Sequence, residues 1–167
     1  AKREFEHADN WDTESADLLE KLGVKRFKIA SDSAANVDFV NYVMGKGKPV
    51  IVSMGQFQDF ISILHLIDKY VHAPEFIFHC VSQYPTPLKE ANMNLLNELV
   101  KAGFNTGYSD HVAGCSASLL AVGLGVRVIE KHFMTNTGQI DADVSLKTLS
   151  FQKMVQKIRE MEIMLWI

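Results

Sequence analysis

The stretch TGYSDHVAGCSASLLAVGLGVRVIEKH, Thr106 to His132, contains a strand, a helix and a second strand in succession. Thr106–Ser109 and Val126–Glu130 are short runs with aromatic or β-branched residues, and each closes on a cluster of polar side chains. Between them, Cys115–Leu124 is small and apolar with a helical period. Gly125 follows, at the position where a helix stop prefers a left-handed backbone. Two strands joined by a helix lie parallel, and parallel strands are covered on their faces by the crossover helices.

Outward from this unit the same alternation repeats. Phe27–Ile29, Pro49–Ser53 and Phe76–Cys80 read as further strands. Thr13–Leu22, Val37–Met44, Phe57–Val71, Ala91–Ala102 and Leu149–Leu165 read as helices, with Gly23 and Gly103 as stops. Strand starts recur roughly 20 to 30 residues apart, the length of a βα unit. The predicted class is α/β with a parallel sheet, in which ligands bind beyond the carboxyl ends of the strands.

The chain has 167 residues, 47% hydrophobic and 22% charged, which suits one domain, residues 13–167, after a polar leader at residues 1–12. A net charge of -3 leaves no basic excess for a nucleic-acid backbone, so no nucleic-acid partner is expected. Cys80 and Cys115 are too few for a disulfide framework and suit a reducing cytoplasm. The longest apolar stretch, Ser118–Ile129, is interrupted by Arg127 and falls short of the ~18 residues of a membrane span. The apolar helix end Met164–Ile167 calls for a partner surface.

Polar residues gather after each strand: Lys28 and Ser31, Ser53, then His79, Ser82 and Tyr84, then Ser109, Asp110 and His111, and last Glu130, Lys131 and His132. Cations, hydroxyls and imidazoles on one end of a sheet are what a small anion and a divalent metal require. Each residue also has an ordinary structural reading. A strand lysine can snorkel, a serine after a strand can close a turn, and His79, inside an apolar run, suits a hydrogen-bonded core position. Cys80 and Cys115 read as small buried hydrophobes. His111 and His132 end adjacent strands and can converge on one ion, though the residues alone leave a structural role equally open.

The ordered motifs FKIAS, KPVIVSMG, HCVSQYPTP, GYSDH and VIEKHF resemble the sialic acid synthase family, which includes legionaminic, pseudaminic and spore-coat sugar acid synthases. The resemblance runs from about Thr13 to about Glu162. It implies a parallel (β/α) barrel of TIM type, present as strands four to eight, without the family's C-terminal antifreeze-like domain. It further implies condensation of phosphoenolpyruvate with an N-acetylmannosamine-type aldose to a nine-carbon 2-keto sugar acid, with release of phosphate. By the same resemblance, Lys28, Ser31, Ser53, Ser82, Tyr84 and Ser109 bind phosphoenolpyruvate, and His111 and His132 bind Mn2+ or Mg2+. Asp141 contacts the sugar, Lys28 and Asp141 are the catalytic pair, and the enzyme is a cytoplasmic homodimer.

The sequence departs from the family pattern at Ser31-Asp32-Ser33, where the acid is displaced by one position, and at Gln139-Ile140 before Asp141. A binding module that keeps only the anion and metal pocket, and an unrelated metal-dependent α/β hydrolase or aldolase, are the competing readings. A length below the ~250 residues of a closed eightfold barrel is consistent with a partial one.

Overall fold

The structure, a computed structural model, describes residues 7–10, 12–135 and 141–165. The expectations for the rest of the polar leader, for Gln139-Ile140 and for Trp166-Ile167 lie outside the described residues. The chain forms two compact units, Ala1–Phe78 and His79–Ile167.

In the first unit, β1 (His7–Asn10), β2 (Arg26–Ile29), β3 (Val50–Ser53) and β4 (Phe76–His79) are parallel neighbours in that order, with His79 itself opening the second unit. The expected strands are present with small changes at their ends. β1 lies within residues 1–12, the polar leader in which the sequence shows no convincing strand: HADN has no apolar signature, and its pairing with β2 is made through main-chain groups that no side-chain pattern reports. Lys28 pairs with Ile51, Ile51 with Phe76 and Ser53 with Phe78, so these five residues share one side of the sheet. Phe27, Ile29, Val50, Val52 and Ile77 occupy the other side and are buried.

Three helices follow the strands, each started by a side chain that accepts a hydrogen bond from a first-turn N–H. Asp12 accepts from Ser15 at α1 (Thr13–Lys21), Asn36 from Phe39 at α2 (Val37–Met44), and Asp59 from Ser62 at α3 (Phe60–Ile67). The cap at Asp59 explains why α3 starts later than the expected Phe57, which instead closes a turn onto the Met54 carbonyl. Lys46 joins the first two helices by bonding Asp17 and Glu20.

The second unit is built on parallel strands β5 (Thr106–Asp110) and β6 (Val128–Lys131). Its helices are α4 (Met93–Lys101), α5 (Ser116–Gly123) and α6 (Thr148–Leu165). A small pair, β7 (Phe133–Met134) and β8 (Leu146–Lys147), follows β6. Leu96, Tyr108, Val112, Ala117, Ala121 and Val126 form its core. Gly125 closes α5 at φ +100°, a backbone that L side chains avoid, and an added Cβ would meet Val100 at 3.3 Å. Val126 still belongs to this closing turn, its N–H bonding Ala121, which is why β6 starts at Val128. Among the described residues, no helix is long and apolar enough to cross a membrane.

Candidate active-site clusters

In the first unit the polar strand-end residues are buried or tied into turns. Lys28 is 5% exposed on β2, on the same side as Ser53 at the end of β3. Among the described residues, the buried Ser53 hydroxyl has no hydrogen-bond partner. Ser31 accepts a hydrogen bond from the Gly55 N–H at 3.0 Å and so braces the turns after β2 and β3. Asp32, the displaced acid, accepts from the Ser33 hydroxyl at 3.3 Å.

The second unit assembles the histidines. Ser109 pairs with Glu130 across β5 and β6, and its hydroxyl donates to the Glu130 carboxylate at 2.6 Å. His111 Nδ1 lies 2.7 Å from the Val81 carbonyl, which can only accept, so Nδ1 carries the proton and Nε2 presents its lone pair. That nitrogen faces the Tyr84 hydroxyl at 3.1 Å and the Ser109 hydroxyl at 3.3 Å. The Tyr84 ring stacks on His111, centroids 4.1 Å apart. His132 meets His111 edge-on at 5.4 Å and Tyr84 at 5.5 Å. Burial pushes the His111 imidazole below its ordinary pKa, against the Val81 carbonyl, which pulls it up.

Of the residues singled out in the sequence, Tyr84, Ser109, His111 and His132 are brought together here. Asp141, in a left-handed backbone at φ 64°, places its carboxylate 3.7 Å from His132 Nδ1. Ser82 is exposed on the loop two residues before Tyr84. Val81 was not anticipated, because its contribution is a backbone carbonyl that any residue supplies. Glu130 was legible only as a carboxylate next to His132.

Among the described residues, no group of three or more His, Cys, Asp and Glu side chains gathers around one point. A cation at this point would rest on the two imidazoles of His111 and His132, with its remaining positions taken by water or ligand oxygens. The fixed tautomer of His111 fits that use, since a metal ligand must offer a lone pair while its other nitrogen is anchored.

His79 occupies the core position expected of it, fully buried, with Nε2 3.0 Å from the Ala91 carbonyl and its ring stacked on Tyr108. Cys80 is buried as expected, but Cys115 is partly exposed at the start of α5. Burial lowers the His79 pKa, so the folded state binds a proton less readily than the unfolded chain. Stability is then expected to be fully present above the ordinary imidazole value of about 6.5 and to fall as pH drops below it. His79→Phe should flatten part of that slope, read as urea midpoints at several pH values. An unchanged slope would assign the acid sensitivity to other groups.

Three comparisons place these features among known proteins. The NeuB family model matches residues 7–166. The N,N'-diacetyllegionaminic acid synthase of Campylobacter jejuni is 32% identical over 160 residues, covering 91% of this chain and 48% of that protein. The pseudaminic acid synthase of C. jejuni strain 81-176 is 36% identical over 156 residues, covering 89% of this chain and 45% of the other. A crystal structure of the N-acetylneuraminic acid synthetase of Leptospira borgpetersenii, in complex with citrate, superposes with a TM-score of 0.87 at 30% identity. That match covers 95% of this chain and 57% of the synthetase. The chain thus spans about half the length of the curated relatives it matches. The fold class is that of a TIM-type α/β barrel, of which the chain carries a part.

Proposed function

The chain belongs to the NeuB family, and from that premise we propose that it is the part of a sugar acid synthase that binds phosphoenolpyruvate and a divalent cation. In this reading the enzyme joins phosphoenolpyruvate to an N-acetylmannosamine-type aldose. The enol carbon forms a bond to the aldehyde carbon, and the aldehyde oxygen takes up a proton. Water adds to the cationic carbon left behind, and phosphate departs by carbon–oxygen cleavage.

The observation that carries the proposal is the His111 arrangement, an imidazole locked by Val81 with its lone pair turned toward Tyr84 and Ser109 and its ring 5.4 Å from His132. His111 and His132 would hold Mn2+ or Mg2+, which when bound supplies Lewis-acid polarisation of a carbonyl oxygen. Lys28 offers a buried ammonium, and Ser53 a buried hydroxyl, for anionic oxygens. In the same proposal Ser31, Ser82, Tyr84 and Ser109 supply further polar contacts to phosphoenolpyruvate. Asp141, half-exposed beside His132, accepts from sugar hydroxyls. The parent enzyme is proposed to act in the cytoplasm as a homodimer.

Calorimetry with phosphoenolpyruvate and Mn2+, followed by a phosphate-release assay with and without the aldose, tests the proposal. Binding followed by sugar-dependent phosphate release is the expected result in the parent enzyme. Binding without release would make the chain a binding module, and no binding to either form would end both readings. Lys28→Ala is expected to weaken phosphoenolpyruvate binding by about 1.5 to 3 kcal/mol, the loss of one charge-assisted hydrogen bond. Unchanged affinity would remove Lys28 from the site.

A further inference from the structure

Each imidazole of the histidine pair is preceded by a charged residue, Asp110 before His111 and Lys131 before His132, and these two also pair. They stand opposite one another in the β5–β6 register, and both side chains are completely enclosed. Strand alternation turns them away from Ser109 and Glu130, so they belong to the opposite side of the sheet from the polar cluster. Lys131 Nζ lies 3.4 Å from Asp110 Oδ1 and donates to the Val112 carbonyl. Asp110 Oδ1 also accepts from the Val112 N–H at 2.8 Å, and Oδ2 accepts from the Ser118 N–H at 3.2 Å and the Ser118 hydroxyl.

One carboxylate and one ammonium thereby tie the end of β5, the turn after it, the first turn of α5 and the end of β6. Val112 is held through both its N–H and its C=O, and the His111 carbonyl accepts from the Thr86 N–H at 2.9 Å. The main chain on either side of His111 has little freedom left. Stability alone does not call for such a pair, since buried ion pairs are often replaced by apolar residues without loss.

We infer that Asp110 and Lys131 are positioning residues that set the separation and orientation of the His111 and His132 imidazoles. The inference extends the reading in which those histidines hold a cation, but it concerns the rings themselves. The test is the full chain carrying Asp110→Asn with Lys131→Met, which removes both buried charges together. Urea midpoints, imidazole 15N spectra with His65 as internal reference, and Co2+ titration are compared with the parent chain.

The double variant is expected to fold and to leave the His65 signals in place. His111 should lose its single Nδ1–H tautomer, the His132 signals should move, and Co2+ affinity should fall about 10- to 100-fold. A folded double variant with both imidazole spectra unchanged would overturn the inference. Should it fail to fold, Ser118→Ala removes one hydrogen bond to Asp110 and should shift the same two imidazoles by less. Unmoved signals there overturn the inference equally. If the parent chain binds no Co2+ while the variant's imidazoles move, the cation reading fails and the positioning role stands. If both chains bind Co2+ alike with identical imidazole spectra, the reverse holds.

Discussion

Lys131→Met alone is expected to destabilise the fold by about 3 to 5 kcal/mol, the loss that follows when one partner of a buried ion pair is removed. The lysine and Asp110 are both fully enclosed, so water cannot replace the missing ammonium. Burial pushes the Lys131 pKa down while Asp110 pulls it back up, the opposition expected when a charge is tolerated only because of its partner. After the substitution Asp110 keeps hydrogen bonds from Val112 and Ser118, but these are neutral donors, and the Val112 carbonyl loses its lysine. Adding Asp110→Asn should recover most of the loss by removing the stranded charge. Urea unfolding of the three chains decides the matter. A single variant within about 1 kcal/mol of the parent, the scale of an exposed ion pair, would show that the pair is solvated in solution.

In the proposed cation site, His111→Ala should weaken Mn2+ binding by more than about 100-fold, because it would delete an imidazole ligand, and even the groups that merely orient such ligands cost 10- to 100-fold. The change also removes the ring against which Tyr84 stacks and the donor to Val81. His111→Gln separates these effects, since its amide can still donate to a carbonyl while offering no imidazole lone pair. Both variants should lose the cation, and His111→Gln should keep more of the parent's thermal stability. Manganese binding measured by water-proton relaxation reports the first and calorimetric unfolding the second. Retained Mn2+ affinity in both would place the cation elsewhere.

The elements differ in how plainly they were written in the chain. β2, β3 and β4 were legible because Phe27, Ile29, Val50, Val52 and Ile77 are buried β-branched or aromatic residues, the composition of parallel strands covered on their faces. β1 was not, because His7–Asn10 joins the sheet by main-chain pairing, to which composition contributes nothing. Among the site residues, Ser109, His111 and His132 were legible as strand-end polar residues with a period of one βα unit. The anchor of His111 was not, because Val81 supplies only a carbonyl.

By itself the sequence determined the βα alternation, the residues at the strand ends and the family, since these follow from hydrophobic period, glycine stops and ordered motifs along one dimension. Only the tertiary structure decided that Asp110 and Lys131 form an enclosed pair while the histidines beside them meet at 5.4 Å. The physical reason is register: alternation says that neighbouring residues on a strand face opposite ways, but only the hydrogen-bonded pairing of β5 with β6 says which residue stands opposite which.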